Sequence, residues 1–270
     1  MSVFIASLNS GSNGNCYYIG TRTEAVLIDA GISCRETERR LRRLDLKTDH
    51  IKAIFISHEH IDHIKGVEIL AGRYNIPVYI TQATLSNSRT RPPAHLINHF
   101  SAYQPLTIGG FTVTAFPKLH DAADPHSFLV AANGITTGIF TDIGAPCDHV
   151  RKHFSQCHAA FLEANYDDHM LETGRYPYHL KKRISGDKGH LSNAQALELF
   201  NNHRPPFMKH LLLSHLSKDN NSPETAIASF AGAPDDIHIS VASRFEATAV
   251  YDISDTTSDA STKLTQGVLF

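Results

Sequence analysis

Short apolar runs rich in β-branched residues, separated by turn-rich or amphipathic stretches, organise the chain up to residue 254. Their period and composition predict strands over 4–8, 16–19, 25–29, 51–56 and 78–81. Further strands are expected over 111–116, where apolar positions alternate with period 2, and over 128–131 and 134–141, joined through Asn133-Gly134. Shorter buried strands are expected over 159–162, 211–214 and 237–242. Three segments read as helices. Residues 33–44 open with Ser33 and Glu36 in a capping-box pattern and carry Leu41 and Leu44 on one face; 65–74 and 193–202 complete the set. There is no heptad run and no repeat on a 20–50 residue period. This alternation predicts a layered α/β domain over 1–254 without an internal linker. Past Ser254 the sequence turns simple and polar, so 255–270 is expected to be a weakly ordered tail.

Composition adds little until histidine is counted. Of 270 residues, 41% are hydrophobic and 19% charged, which excludes a disordered or fibrous chain. The balance of 25 Lys and Arg against 27 Asp and Glu gives a net charge of -2, so no global basic field holds a nucleic acid, although a local groove is compatible with it. Cys16, Cys34, Cys147 and Cys157 contain no C-x-x-C pair and read as reduced thiols. The start lacks a basic-then-apolar leader, and no apolar run reaches the roughly 18–20 residues of a membrane span. The expectation is a soluble cytoplasmic protein. Histidine stands out: the chain has 18.

Ser57-His58-Glu59-His60-Ile61-Asp62-His63 follows directly on the strand ending at Ile56. Imidazole nitrogens and a carboxylate so close together suit zinc, manganese or iron, and the absence of cysteine argues against a structural zinc knuckle. A strand emptying into a turn presents His58 and His60 to one point, while Asp62 and His63 open the next helix and face a second. Two metal ions held close together in this way can serve hydrolysis by a shared hydroxide. A His-rich surface turn with Asp62 as a helix N-cap is the plainer alternative.

This H-x-H-x-D-H resembles the signature of the metallo-β-lactamase fold, which implies a four-layer αβ/βα sandwich with metals at one edge of its sheets. Accessory motifs recur in the family's order. Asp29, in Leu27-Ile28-Asp29-Ala30-Gly31, matches an aspartate that supports the site from behind its ligands. His120, in Pro117-Lys118-Leu119-His120-Asp121, Asp142, in Phe140-Thr141-Asp142-Ile143-Gly144, and His215, in Leu213-Ser214-His215-Leu216-Ser217, match the remaining ligands. The resemblance implies that His58, His60 and His120 bind one ion, that Asp62, His63 and His215 bind the other, and that Asp142 bridges them. It also places Asp62 among the catalytic groups. On the residues alone, His126 competes with His120 and His210 with His215. Glu59 is expected to face solvent. The implied cofactors are two divalent ions, zinc or manganese, with iron also suited to these donors.

Glu163-Ala164-Asn165-Tyr166-Asp167, Gly189-His190-Leu191-Ser192-Asn193 and Ser10-Gly11-Ser12-x-Gly14-Asn15 resemble the bacterial YycJ-type (WalJ-type) branch, which is similar to RNase Z and to cyclic-phosphate phosphodiesterases. That branch implies phosphodiester hydrolysis through a metal-bound hydroxide, acting on DNA as a 5′-to-3′ exonuclease. The alternatives are a small cyclic phosphate as substrate, or a noncatalytic binding or regulatory module stabilised by metal. His190 is expected to contact the scissile phosphate or protonate the leaving oxygen. Its structural alternative is helix entry, with Ser192 or Asn193 as the cap. Asn165 and Asn193 are expected to shape the site. Lys181, Lys182 and Arg183 are expected to meet a nucleic-acid backbone, with Tyr166, Tyr176 and Tyr178 nearby for stacking. A second basic run, Arg35, Arg39, Arg40, Arg42 and Arg43, falls on the first helix. A long substrate would bind on this one domain or across a dimer.

Overall fold

The computed structural model describes residues 2–254, so the tail expected over 255–270 lies outside the described residues. Its strands form two seven-stranded sheets. The first contains β1 (Val3–Asn9), β2 (Cys16–Gly20), β3 (Ala25–Ile28), β4 (Ile51–Phe55), β5 (Val78–Tyr79), β6 (Ile97–Asn98) and β14 (Tyr251–Ile253). The second contains β7 (Leu106–Ile108), β8 (Phe111–Pro117), β9 (His126–Ala132), β10 (Ile135–Phe140), β11 (Ala159–Glu163), β12 (His210–Ser214) and β13 (His238–Val241). Spatial orders are β14-β1-β2-β3-β4-β5-β6 and β13-β12-β11-β10-β9-β8-β7. Both sheets are mixed: β3 to β6 run parallel, as do β10 to β13, and the remaining pairings are antiparallel.

Alternation along each strand divides the apolar side chains into layers. On β3, Val26 and Ile28 face the other sheet, while Ala25 and Leu27 face the outer helices. Across the middle, Tyr17 meets Phe161 with ring centroids 4.9 Å apart, and Phe55 meets Phe128 at 5.7 Å. Outside the first sheet, Leu27 and Ile54 pack with Leu41 of α1 (Cys34–Arg43) and with Val67 and Leu70 of α3 (Val67–Tyr74). Outside the second, Phe140 and Leu162 pack with Phe154 of α5 (Asp148–Phe154) and with Leu199 of α8 (Asn193–His203). The result is the four-layer αβ/βα sandwich expected. Strands buried on both faces read as continuous apolar runs, which is why they were legible in the sequence.

The remaining helices are short: α2 (Ile61–Ile64), α4 (Gln82–Asn87), α6 (Asp168–Thr173), α7 (Tyr178–Ile184) and α9 (Pro223–Ser229). The helix expected over 65–74 is α3, which begins at Val67; Gly66 separates it from the short α2 before it. The Gly66 N–H donates to the Ala30 carbonyl at 2.8 Å, and a Cβ there would lie 1.9 Å from the Ile32 oxygen. His60, not Asp62, is the N-cap of α2. At α1 only half the capping box forms, because the Glu36 carboxylate turns towards Arg39 and Arg40; Ser192 and Gln195 form a full box at α8. Asn133 (φ 52) and Gly134 (φ 78) make the expected tight turn between β9 and β10.

Candidate metal centre

At one edge of the sandwich, polar residues follow the carboxyl ends of β3, β4, β8, β10, β11 and β12. Asp29, His58, His120, Asp142, Glu163 and His215 occupy those places, where the chain leaves the sheet and binding groups gather. Asp29 (φ 62), Asp142 (φ 55) and His215 (φ 58) adopt left-handed backbone, which costs roughly 1 kcal/mol per residue. Neighbouring bonds fix these turns. The Asp29 N–H donates to the Phe55 carbonyl at 2.8 Å, Ile143 N–H to Glu163 Oε2 at 2.7 Å, and His215 N–H to Ser10 Oγ at 2.7 Å.

Two groups of three side chains converge. One is His58, His60 and His120, the other Asp62, His63 and His215, and within each the candidate donor atoms lie within 4.8 Å of one another. Asp142 lies between them. Its Oδ2 is 3.2 Å from His63 Nε2, and its Oδ1 is 3.4 Å from His215 Nε2 and 3.8 Å from His120 Nε2. The opposite ring nitrogens are held from behind. His120 Nδ1 donates to the Gly189 carbonyl at 3.1 Å, which leaves the Nε2 lone pair free. His63 Nδ1 meets Asp29 Oδ2 at 2.7 Å, and His215 Nδ1 meets Glu163 Oε1 at 3.1 Å. Ser57 Oγ links Asp29 to His58 Nδ1, at 2.8 and 2.9 Å.

Charge divides the two groups. Burial drops His58 well below its ordinary value and takes His120 down to about 4, so both are neutral imidazoles. Burial also disfavours charge on His215, but Asp142, Asp62 and Glu163 outweigh it and raise the group to about 10. His63 is raised in the same way by Asp142, Asp29 and Asp62. Burial would raise Asp142, yet His215, His63 and Lys118 hold it well below the usual carboxylate range. His120 Nε2, His215 Nε2 and Asp142 Oδ2 are buried without a hydrogen-bond partner. Orphaned polar atoms each cost about 1–3 kcal/mol, and a divalent cation at their common focus would satisfy them. The donor set therefore fits divalent metal, with nitrogen and carboxylate oxygen in both groups once Asp142 is counted.

The seven expected ligands thus lie around one focus, with Asp29 behind His63. The rivals lie elsewhere: His126 bonds the Asp124 carbonyl at 2.9 Å, and His210 packs at a tilt against His238 and Tyr251. Glu59 accepts from the Ala123 N–H at 2.8 Å and braces the loop before β9. Asn165 supports His215, donating to its carbonyl at 2.7 Å. Asn193 requires a correction. It is 2% exposed, and its amide is paired with that of Asn221 at 2.8 and 3.2 Å, so it fastens α8 and has no free group for a substrate. Lys181, Lys182 and Arg183 lie on the exposed α7, and Arg183 pairs with Asp121, the neighbour of His120. Arg40 of the other basic run is 5% exposed and bonded into the fold.

Sequence reasoning missed two members of the site. Glu163 is fully buried and joins His190 Nδ1 at 2.8 Å to His215, while accepting from Ile143 and Leu191 N–H groups. Its signal was a carboxylate ending the apolar run Ala159–Leu162, since a buried acid must be paired. Lys118 is 5% exposed and donates to the Thr141 carbonyl at 2.7 Å, just before Asp142.

Comparison with known proteins agrees with this geometry. Residues 24–216 match the beta-lactamase superfamily domain. Exodeoxyribonuclease YycJ of Bacillus anthracis is 34% identical over 254 residues, covering 91% of this chain and 94% of that protein. Exodeoxyribonuclease WalJ of Streptococcus pneumoniae is 31% identical over 264 residues, or 96% of each. The metallo-β-lactamase fold protein YhfI from Bacillus subtilis superposes with a TM-score of 0.71 over 93% of this chain and 100% of its own, at 16% identity, and so shares the fold. The chain belongs to the beta-lactamase superfamily and, within it, to the family of YycJ and WalJ.

Proposed function

We propose that this protein is a dinuclear metal-dependent phosphodiester hydrolase that acts on DNA as a 5′-to-3′ exonuclease in the cytoplasm. The observation that carries the reading is the convergence of His58, His60 and His120 beside Asp62, His63 and His215, with Asp142 in contact with members of both. The activity named for YycJ and WalJ supports a DNA strand as substrate, and four free cysteines fit a reducing compartment. Two zinc or manganese ions held there supply Lewis acidity, a hydroxide source near neutral pH and relief of phosphate charge. The chain's own residues do the rest. Asp29, Ser57 and Glu163 fix the histidine rings, so little reorganisation accompanies reaction. Glu163 grips His190 through Nδ1, leaving Nε2 to bond the phosphate or pass a proton to the leaving oxygen. Lys181 and Lys182 lie on α7, the helix whose Arg183 pairs with Asp121 beside His120, and their charge would attract the backbone.

Metal analysis combined with hydrolysis of a 5′-labelled strand, with cyclic phosphates run in parallel, tests this reading. The expected result is two divalent ions per chain, digestion of the strand from its labelled end, and loss of digestion on chelation. Asp142→Ala is expected to lower the rate at least about 100-fold, because it removes the carboxylate between the two groups. Much faster turnover of a cyclic phosphate would replace DNA as the substrate. Full activity in both His58→Ala and Asp142→Ala would end the enzyme reading.

A further inference from the structure

Helix α7 is a wall with two faces. Leu180, Arg183 and Ile184, spaced i, i+3 and i+4, line a cavity of about 200 Å³ together with Tyr176, Asn165 and His190. Tyr178, Lys181, Lys182 and Ser185 line a separate cavity of about 570 Å³ on the other side. The smaller cavity adjoins the metal centre through shared residues. His190 Nδ1 lies 3.9 Å from Asp142 Oδ1, and Asp121, also in its lining, places Oδ1 3.4 Å from His120 Nε2.

The wall is built into place. The His190 N–H donates to the Ile184 carbonyl at 2.8 Å, and a Cβ on Gly189 would lie 2.1 Å from that same oxygen, so the close approach requires glycine. At the rim, Arg183 Nε and Nη2 lie 2.7 and 2.6 Å from Asp121 Oδ2, latching the helix to the loop after β8. Tyr176 is tied through its hydroxyl to Asp219 Oδ2 at 2.9 Å. The aromatic ring and two branched aliphatic side chains suit a base and a sugar, while the guanidinium is shared with Asp121 and the Asn165 amide with His215. The volume is below the roughly 300–1,000 Å³ of pockets that enclose larger ligands, so the cavity takes no more than the terminal unit of a strand.

We infer that this cavity seats the terminal nucleotide of the strand and thereby sets the product at a single nucleotide. The inference rests on the phosphodiesterase reading above and adds the residues that measure the product. Two variants of the metal-loaded protein test it, with thymidine 5′-monophosphate as probe. Leu180→Trp fills the cavity, and Tyr176→Ala removes its aromatic wall. The wild type is expected to release mononucleotides and to bind the probe. Leu180→Trp is expected to weaken probe binding about tenfold, and Tyr176→Ala at least fivefold, as loss of base stacking implies. Metal content and melting temperature are monitored in both variants; should Leu180→Trp fail to fold, Tyr176→Ala alone decides. Probe affinity within twofold of wild type in the folded variants, or wild-type products several nucleotides long, would overturn the inference. If the probe binds as expected while no strand is cut, the seat stands and the exonuclease reading falls.

Discussion

Helices α1 and α7 look alike as charge patterns and do opposite things in the structure. The first basic run has Arg35, Arg39, Arg40, Arg42 and Arg43; the second has Lys181, Lys182 and Arg183. On α1, Arg40 turns inward. It donates to the Leu8 carbonyl at 2.5 Å, Asn9 Oδ1 at 2.6 Å and the Phe245 carbonyl at 2.8 Å, and pairs with Glu36. It thereby braces the turn after β1, from which Asn15 reaches Asp62 Oδ2 at 3.2 Å. None of the residues of α7 is buried, and Lys182 lies over the ring of Tyr178 at 5.6 Å. The meaning of a cation run is decided by whether the backbone carbonyls it meets are buried. Arg40, itself 5% exposed, satisfies two inside the fold, whereas Lys181 Nζ meets the Glu172 carbonyl at 2.6 Å on the exposed surface.

Breaking the α1 network should give the larger effect. Arg40→Met strands the Leu8 and Phe245 carbonyls and leaves Glu36 to Arg39 alone, and is expected to cost about 3 kcal/mol in urea denaturation. A loss below about 1 kcal/mol would return α1 to the class of solvated faces. On α7, Lys181→Gln with Lys182→Gln should leave stability within about 0.5 kcal/mol. The same pair is expected to weaken strand binding roughly tenfold at low salt and to flatten the log-affinity against log-salt slope by about 2. The reverse pattern, with stability lost and the salt slope intact, would erase the contrast between the helices.

The same distinction explains what was legible in the sequence. His58, His60, Asp62 and His63 are close along the chain, so their common purpose showed in the spacing alone. His120, Asp142 and His215 are brought in by tertiary structure, and each histidine had a rival in His126 or His210 until coordinates separated them. Only the order of motifs in a known family selected among them. Glu163 went unseen because a single carboxylate on an apolar strand has no period to detect, and its partners His190 and His215 lie 27 and 52 residues away. The sheets were easier, since double-sided burial writes itself as unbroken apolar runs. The two-residue strand β6 and the polar helix α7 carry no such signature, and the strand expected over 78–81 is β5, shortened to Val78–Tyr79. Asn193 shows the opposite case: a polar residue near the site in sequence, expected to shape it, is held inside by Asn221.

The smallest expected effect sharpens the account of α1 through pH. The hydrogen bond from Arg39, joined by Arg40, overcomes burial and holds the Glu36 carboxyl at about 2, against an ordinary value of 4.5. A carboxyl whose folded value lies below its unfolded one binds protons more readily in the unfolded chain, so falling pH favours unfolding. Its contribution is complete above about 4.5 and disappears as pH falls through about 2. Glu36 is partly exposed and solvent screens the pair, so roughly 0.5 kcal/mol is expected at neutral pH. Asp62 and Glu163 are also held at about 2 and titrate over the same range, so whole-protein acid unfolding would mix all three. The difference between wild type and Glu36→Gln isolates the helix: it should be constant from neutrality down to about pH 5 and vanish near pH 2. A difference that did not change with pH would mean that Glu36 acts through packing, and that Arg40 is held by the carbonyls alone.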